Sequence, residues 1–201
     1  MPVPSGFRLL VLAMTAGVSF LAAQSTSPLG AYKLGHSFHG ESFDSGPRQK
    51  PWEMAGIGEG HFPITTKNPE VQKWFDQGNA LLHSFWFYEA ERAFRWCLKL
   101  EPDNAMAYWG LSRAAQGNDR AADFVREAAR RKDRVSERER LYIEASEAEI
   151  LRDPLLDKDA ELNYEEHNRR YKKVLETICL RYPDDMEARA LLALANMGSS
   201  R

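Results

Sequence analysis

Five residues of this 201-residue chain have the types needed to hold a ligand: Phe75, Asn79, His83, Trp109 and Arg113. An asparagine and an arginine flanked by aromatic rings can grip a peptide backbone or a carboxylate, the arginine bidentately. Aromatics and arginine are also the usual anchors of binding surfaces. The alternative for Phe75 and Trp109 is packing, or cover by another part of the chain.

A second group, His36 and His39 with Glu41 and Asp44, has the composition of a metal site. Its residues sit on a glycine-rich stretch, and no second cluster at fixed spacing accompanies them. A solvated arm is therefore expected, with no metal and no cofactor. His61 stands alone. No glycine-rich phosphate loop, C-x-x-C-H, H-E-x-x-H or serine-elbow pattern occurs. The acidic residues fall on helix exteriors, so no enzymatic activity is expected.

Charge narrows the partners. With 27 basic against 29 acidic residues, the net charge of −2 makes no case for nucleic acid or an anionic membrane. Seven basic residues lie between Arg126 and Arg140, but Glu127, Asp133, Glu137 and Glu139 interrupt them, as on a solvated helix face.

Residues 1–23 read as an export signal. Arg8 is the only charge, Leu9 to Met14 are apolar, as are Val18, Phe20 and Leu21, and Ala22-Ala23 precede a polar run. The apolar stretch is short for a membrane span of about 20 residues, and Gln24 rather than cysteine follows the expected cut near Ala23. A periplasmic or secreted chain is expected, without stable membrane insertion. Cys97 and Cys179 fall on second helices of non-adjacent units, so buried free thiols are expected rather than a bridge.

The elements that must position these residues are helices. Residues 24–67, punctuated by glycine and proline, form an arm or linker in which Phe38, Phe43, Trp52 and Phe62 could dock. Asn68 is a good N-cap, with Pro69 and Glu70 suited to a first turn. One helix is predicted to about Ser84 and another over Phe87–Leu100, with Pro102-Asp103-Asn104 as the stop. The run Phe85-Trp86-Phe87-Tyr88 at the turn of this unit is expected to pack in the core or between units, with a surface anchor as the alternative. A second unit spans 105–135, its second helix able to run on toward Asp133. A third, 136–183, opens on a Ser136–Glu139 capping box. It breaks near Asp153-Pro154 and continues as a helix over about 159–182, with Tyr164, Tyr171, Leu175, Ile178 and Tyr182 at helical period. Residues 184–201 make a first helix without its second. Its apolar residues Leu191, Leu192, Leu194 and Ala195 would need a missing continuation, a second copy through 186–197, or the arm to cover them.

Trp74, Gly78, Ala90, Phe94 and Pro102 follow the spacing of the tetratricopeptide repeat (TPR), a helix–turn–helix unit of about 34 residues. Leu81 and Cys97 depart conservatively, while Gln77, where a leucine is usual, is a real mismatch. Tyr171 stands where a small residue is usual. The chain also resembles exported bacterial TPR proteins, through His61-Phe62-Pro63-Ile64-Thr65-Thr66, Phe75-Asp76-Gln77-Gly78, Leu82-His83-Ser84-Phe85 with Glu89-Ala90, and Asp103-Asn104-Ala105-Met106-Ala107-Tyr108-Trp109-Gly110. The resemblance implies an all-α, TPR-like right-handed helical solenoid. It also implies a concave groove lined by first helices, with Gln72, Phe75, Asn79 and His83 facing it from the first unit and Met106, Trp109 and Arg113 from the second. Phe75 replaces the lysine of carboxylate-clamping TPR domains. The expected function is a non-catalytic protein–protein interaction scaffold of the bacterial cell envelope, gripping a peptide or helix of a partner protein. The alternatives are a metal-dependent or enzymatic envelope component and a self-assembling repeat protein.

Overall fold

The computed structural model describes residues 45–115, 119–151 and 160–198. The expected export signal, the arm residues His36, His39, Glu41 and Asp44, and the Asp153-Pro154 break lie outside them. Among the described residues the chain is all-α: seven α-helices and one 3-10 turn, with no strand.

Helix α1, Pro69–His83, starts at its predicted signals. Asn68 accepts the Glu70 N–H, and Pro69 sits where no intrahelical donor is needed. Helix α2 is Phe87–Leu100. Asn104 caps α3, Ala105–Ala114, by accepting the Ala107 N–H at 2.9 Å. Helix α4, Arg120–Ala129, stops short of the expected Asp133, and a 3-10 turn takes Lys132–Arg134. Arg131 supplies a reason. Its guanidinium donates to the Glu127 carbonyl and carboxylate and to Asp103 ahead of α3, which draws the last turn toward the preceding loop.

The capping box of Ser136 and Glu139 is fully formed at the head of α5, Glu137–Ile150. Helix α6 is Ala160–Arg181 and α7 is Met186–Gly198. Asp185 caps α7 by accepting the Ala188 N–H at 3.1 Å.

Each helix packs on the next, and α1, α3 and α5 also touch in succession, forming an inner layer. One core runs through the array, from Trp74 and Phe75 through Phe94, Tyr108, Trp109 and Phe124 to Tyr142, Tyr171, Leu175 and Ile178. Tyr171 fits because the Arg113 guanidinium lies 5.5 Å from its ring centre. Tyr164, expected on the same apolar face, is exposed. Cys97 is buried, which pushes its thiol up, and Cys179 is half-buried; both are free.

The run Phe85–Tyr88 does not pack as expected, since all four side chains are exposed. Phe85 and Trp86 occupy the turn between α1 and α2, which is fixed by backbone hydrogen bonds and not by their burial, and Phe87 and Tyr88 open α2. Of the arm, Ser45, Gln49 and Lys50 meet side chains of α2 and α4 while residues 61–66 lie on the inner layer, and Leu194 and Met197 of α7 stay exposed.

The helix pairs interlock at Phe94. A Cβ on Gly78 would come within 2.7 Å of its ring, and one on Gly110 within 2.5 Å. Gly110→Ala is expected to cost about 1–3 kcal/mol through overpacking, read as a lowered midpoint in urea. Gly60→Ala, with nothing within 4 Å of the added carbon, should leave the midpoint unchanged.

Candidate functional site

The inner layer is not bare. Residues 61–66, with no helix or strand of their own, cross it in the grip of side chains. On α1, Gln72 uses both ends of its amide, accepting the Ile64 N–H at 3.0 Å and donating to the Phe62 carbonyl at 2.8 Å. Asp76 accepts the Phe62 N–H at 3.0 Å and lies 2.8 Å from His61 Nδ1. On α5, Arg138 donates to the Pro63 carbonyl at 3.1 Å. Glu139 accepts the Thr65 N–H and hydroxyl, each at 2.5 Å, with the same carboxylate that closes its capping box.

The Phe62 ring fills a pocket built by three successive inner helices. Its centre lies 5.5 Å from that of Phe75, 5.7 Å from Trp109 and 4.9 Å from Tyr142. The Arg138 guanidinium stands 4.3 Å over its face. Tilted and edge-to-face rings, with a cation over one of them, are favourable arrangements.

Gln77 repeats the amide grip farther along α1, accepting the Met54 N–H at 3.1 Å and donating to the Trp52 carbonyl at 2.9 Å. The residue that breaks the repeat pattern is polar because the chain's own backbone lies against it.

The structure brings the five expected site residues together, in two depths. Phe75 and Trp109 are fully buried, with Phe62 against both. They are packing residues beneath the Phe62 ring. Asn79 and His83 hold a carboxylate of the chain itself. Asn79 donates to Glu187 of α7 at 2.8 Å, and His83 Nε2 lies 2.9 Å from the same group. Arg113 is buried and paired with Glu149 of α5. Burial works against its charge, but Glu149, Tyr171 and Glu187 outweigh that and hold its pKa above the usual arginine range. Burial also pushes the Tyr171 phenol up to about 12, with Arg113 opposing. Glu187 and Glu149 are the site residues that sequence reasoning missed. Glu187 lies more than a hundred positions from its partners, where no local pattern can signal a contact.

No family model, curated protein or solved structure matches the chain. Function is therefore read from geometry. Among the described residues no group of three or more His, Cys, Asp or Glu side chains is placed to hold a metal ion. No described helix is long and apolar enough to cross a membrane.

Glu187 divides the inner face into two clefts. The larger, of about 730 Å³, lies between residues 60–63, Asn79, Arg138 and the Pro183–Met186 turn. The smaller, of about 300 Å³, is lined by His83, Trp109 and Arg113 together with Phe85, Phe87, Leu191, Leu194 and Met197. Its rim is exposed and apolar: Phe85 is 67% accessible, Leu194 50% and Met197 74%.

Phe85 is also the one non-glycine described residue with positive φ, 58°. Its N–H bonds the Leu82 carbonyl and the Trp86 N–H bonds the Leu81 carbonyl. That pattern is a Schellman cap, whose left-handed position usually belongs to glycine.

The hydrogen bond to Glu187 is the largest influence on His83, and it raises the imidazolium above the ordinary histidine range against burial and Arg113. With the folded value raised, the contact's stabilisation is full below the unfolded value of about 6.5 and is lost as pH rises through the folded one. Melting temperatures of the parent and Glu187→Gln are expected to differ most between about pH 5 and 6, where the histidine is protonated. The gap should narrow as pH rises. A constant gap would show that His83 contributes nothing to the contact.

Proposed function

We propose that the chain is a non-catalytic interaction scaffold of the bacterial cell envelope, built as a TPR-like right-handed helical solenoid. On this reading it binds a peptide or helix of a partner protein on its concave face. The repeat reading is supported by helix pairs in chain order, by inner helices that touch in succession, and by glycines where Phe94 passes between pairs. The resemblance over about residues 60–150 and the signal-like residues 1–23 support the compartment.

The observation that carries the binding reading is Phe85. The left-handed conformation costs an L-residue about 1–2 kcal/mol, and glycine would close the same cap without that penalty. The chain instead keeps a large aromatic there, exposed, at the rim of an apolar cleft. Strain and exposed apolar surface in one place mark a recognition site. Arg113 and His83 are already matched by Glu149 and Glu187, so the partner's contribution is apolar. Side chains from one face of an amphipathic helix suit such a cleft.

Leu194 and Met197, exposed on α7, favour one form of this reading in which the partner is a second copy. A mass that rises with concentration in light scattering, and stops rising in the variant below, identifies it.

Phe85→Gly separates recognition from folding. It is expected to keep or raise stability, by up to about 1 kcal/mol once glycine's unfolded-state entropy is set against the relieved strain. The same substitution should abolish capture of the partner from envelope extract. Undiminished capture by a stable Phe85→Gly chain would overturn the proposal.

A further inference from the structure

The contacts of residues 62–65 are those of a bound peptide rather than of a folded element. Their backbone groups are met by side chains from α1 and α5, and the α3 cap residue Asn104 donates to the Thr65 carbonyl at 3.4 Å.

We propose that this part of the inner face is a receptor for peptides of aromatic–proline–aliphatic–threonine chemistry. Phe62–Thr65 is its ligand in cis, and the same chemistry supplied in trans replaces it. Each position has a physical reason. The aromatic ring fills the pocket of Phe75, Trp109 and Tyr142 beneath Arg138. Proline suits the next position, which gives a carbonyl to Arg138 and needs no donor. The aliphatic residue offers its N–H to Gln72. Threonine presents an N–H and a hydroxyl to the two oxygens of Glu139, a two-point contact that needs a β-hydroxyl.

The segment is placed to exchange. It borders the open cleft of about 730 Å³. The chain ahead of it carries Gly56 and Gly58 at φ of 80° and 102°, and a Cβ built at either position, or at Gly60, would meet nothing within 4 Å. Release of residues 61–65, which end ahead of the Asn68 cap, therefore unwinds no helix. The site shares Trp109 with the Phe85 cleft but is tested at Phe62, so it stands or falls separately from it.

The test uses the full chain carrying Phe62→Ala and a synthetic peptide of residues 60–67, followed by calorimetric titration and thermal melts. The variant is expected to melt lower than the parent, to bind the peptide saturably, and to regain melting temperature with it. A peptide with alanine in place of Phe62 should bind at least about tenfold more weakly, and the parent chain, where the tethered segment competes, should bind the native peptide saturably but more weakly than the variant does. If the variant is recovered only unfolded, helical circular dichroism that returns on refolding with the peptide, and not with the alanine peptide, supports the proposal. Equal binding of both peptides, equal binding by parent and variant, or no response of the variant to the peptide overturns it.

Discussion

The inner face depends on one aromatic ring set into it from outside the helices. Phe62 touches Phe75, Trp109 and Tyr142, so one side chain bridges three consecutive inner helices that otherwise meet in pairs. Fully burying such a ring contributes about 1.5–3 kcal/mol. The connection runs on through Arg138, which stacks on Phe62 and donates to Asp185 at 2.6 Å. Asp185 in turn accepts the Tyr142 hydroxyl at 2.7 Å and caps α7. Burial pushes the Asp185 carboxyl up, but Arg138, Tyr142 and the Ala188 N–H overcome it and hold the group below its ordinary range. A segment without secondary structure is thereby tied to the start of the last helix.

The same face accounts for its charges internally. Asn79 and His83 take Glu187, and Arg113 takes Glu149. Buried charges persist when paired and hydrogen-bonded, and here each pairing also joins helices far apart in the chain. Beside these pairs lies the exposed apolar surface at the rim of the smaller cleft, to which the proposed reading assigns recognition.

Local signals in the sequence were sufficient for the helices. Asn68, Asn104 and the Ser136–Glu139 pair cap them because a short side chain beside an open N–H acts within one turn. Gly78 marks a close approach because only its missing Cβ leaves room for Phe94. The occupancy of the inner face was not legible, since Thr65 meets Glu139 across 74 positions and Asn79 meets Glu187 across 108. Gln77 was its one trace, a polar side chain where the repeat buries an apolar one. The run Phe85–Tyr88 was misread because its composition argues for burial, whereas the cap geometry turns it outward. The five expected site residues do fall on the neighbouring helices α1 and α3, but nothing local in the sequence says that Phe75 and Trp109 lie beneath another ring.

Amide hydrogen exchange on the intact protein tests most directly whether residues 61–66 are held as a ligand. The N–H groups of Phe62, Ile64 and Thr65, bonded to Asp76, Gln72 and Glu139, should exchange far more slowly than free chain, and Gln72→Ala should release Ile64 ahead of the helices. Exchange of all three at the rate of an unstructured peptide, with α1 still protected, would contradict the seated segment and the receptor built around it.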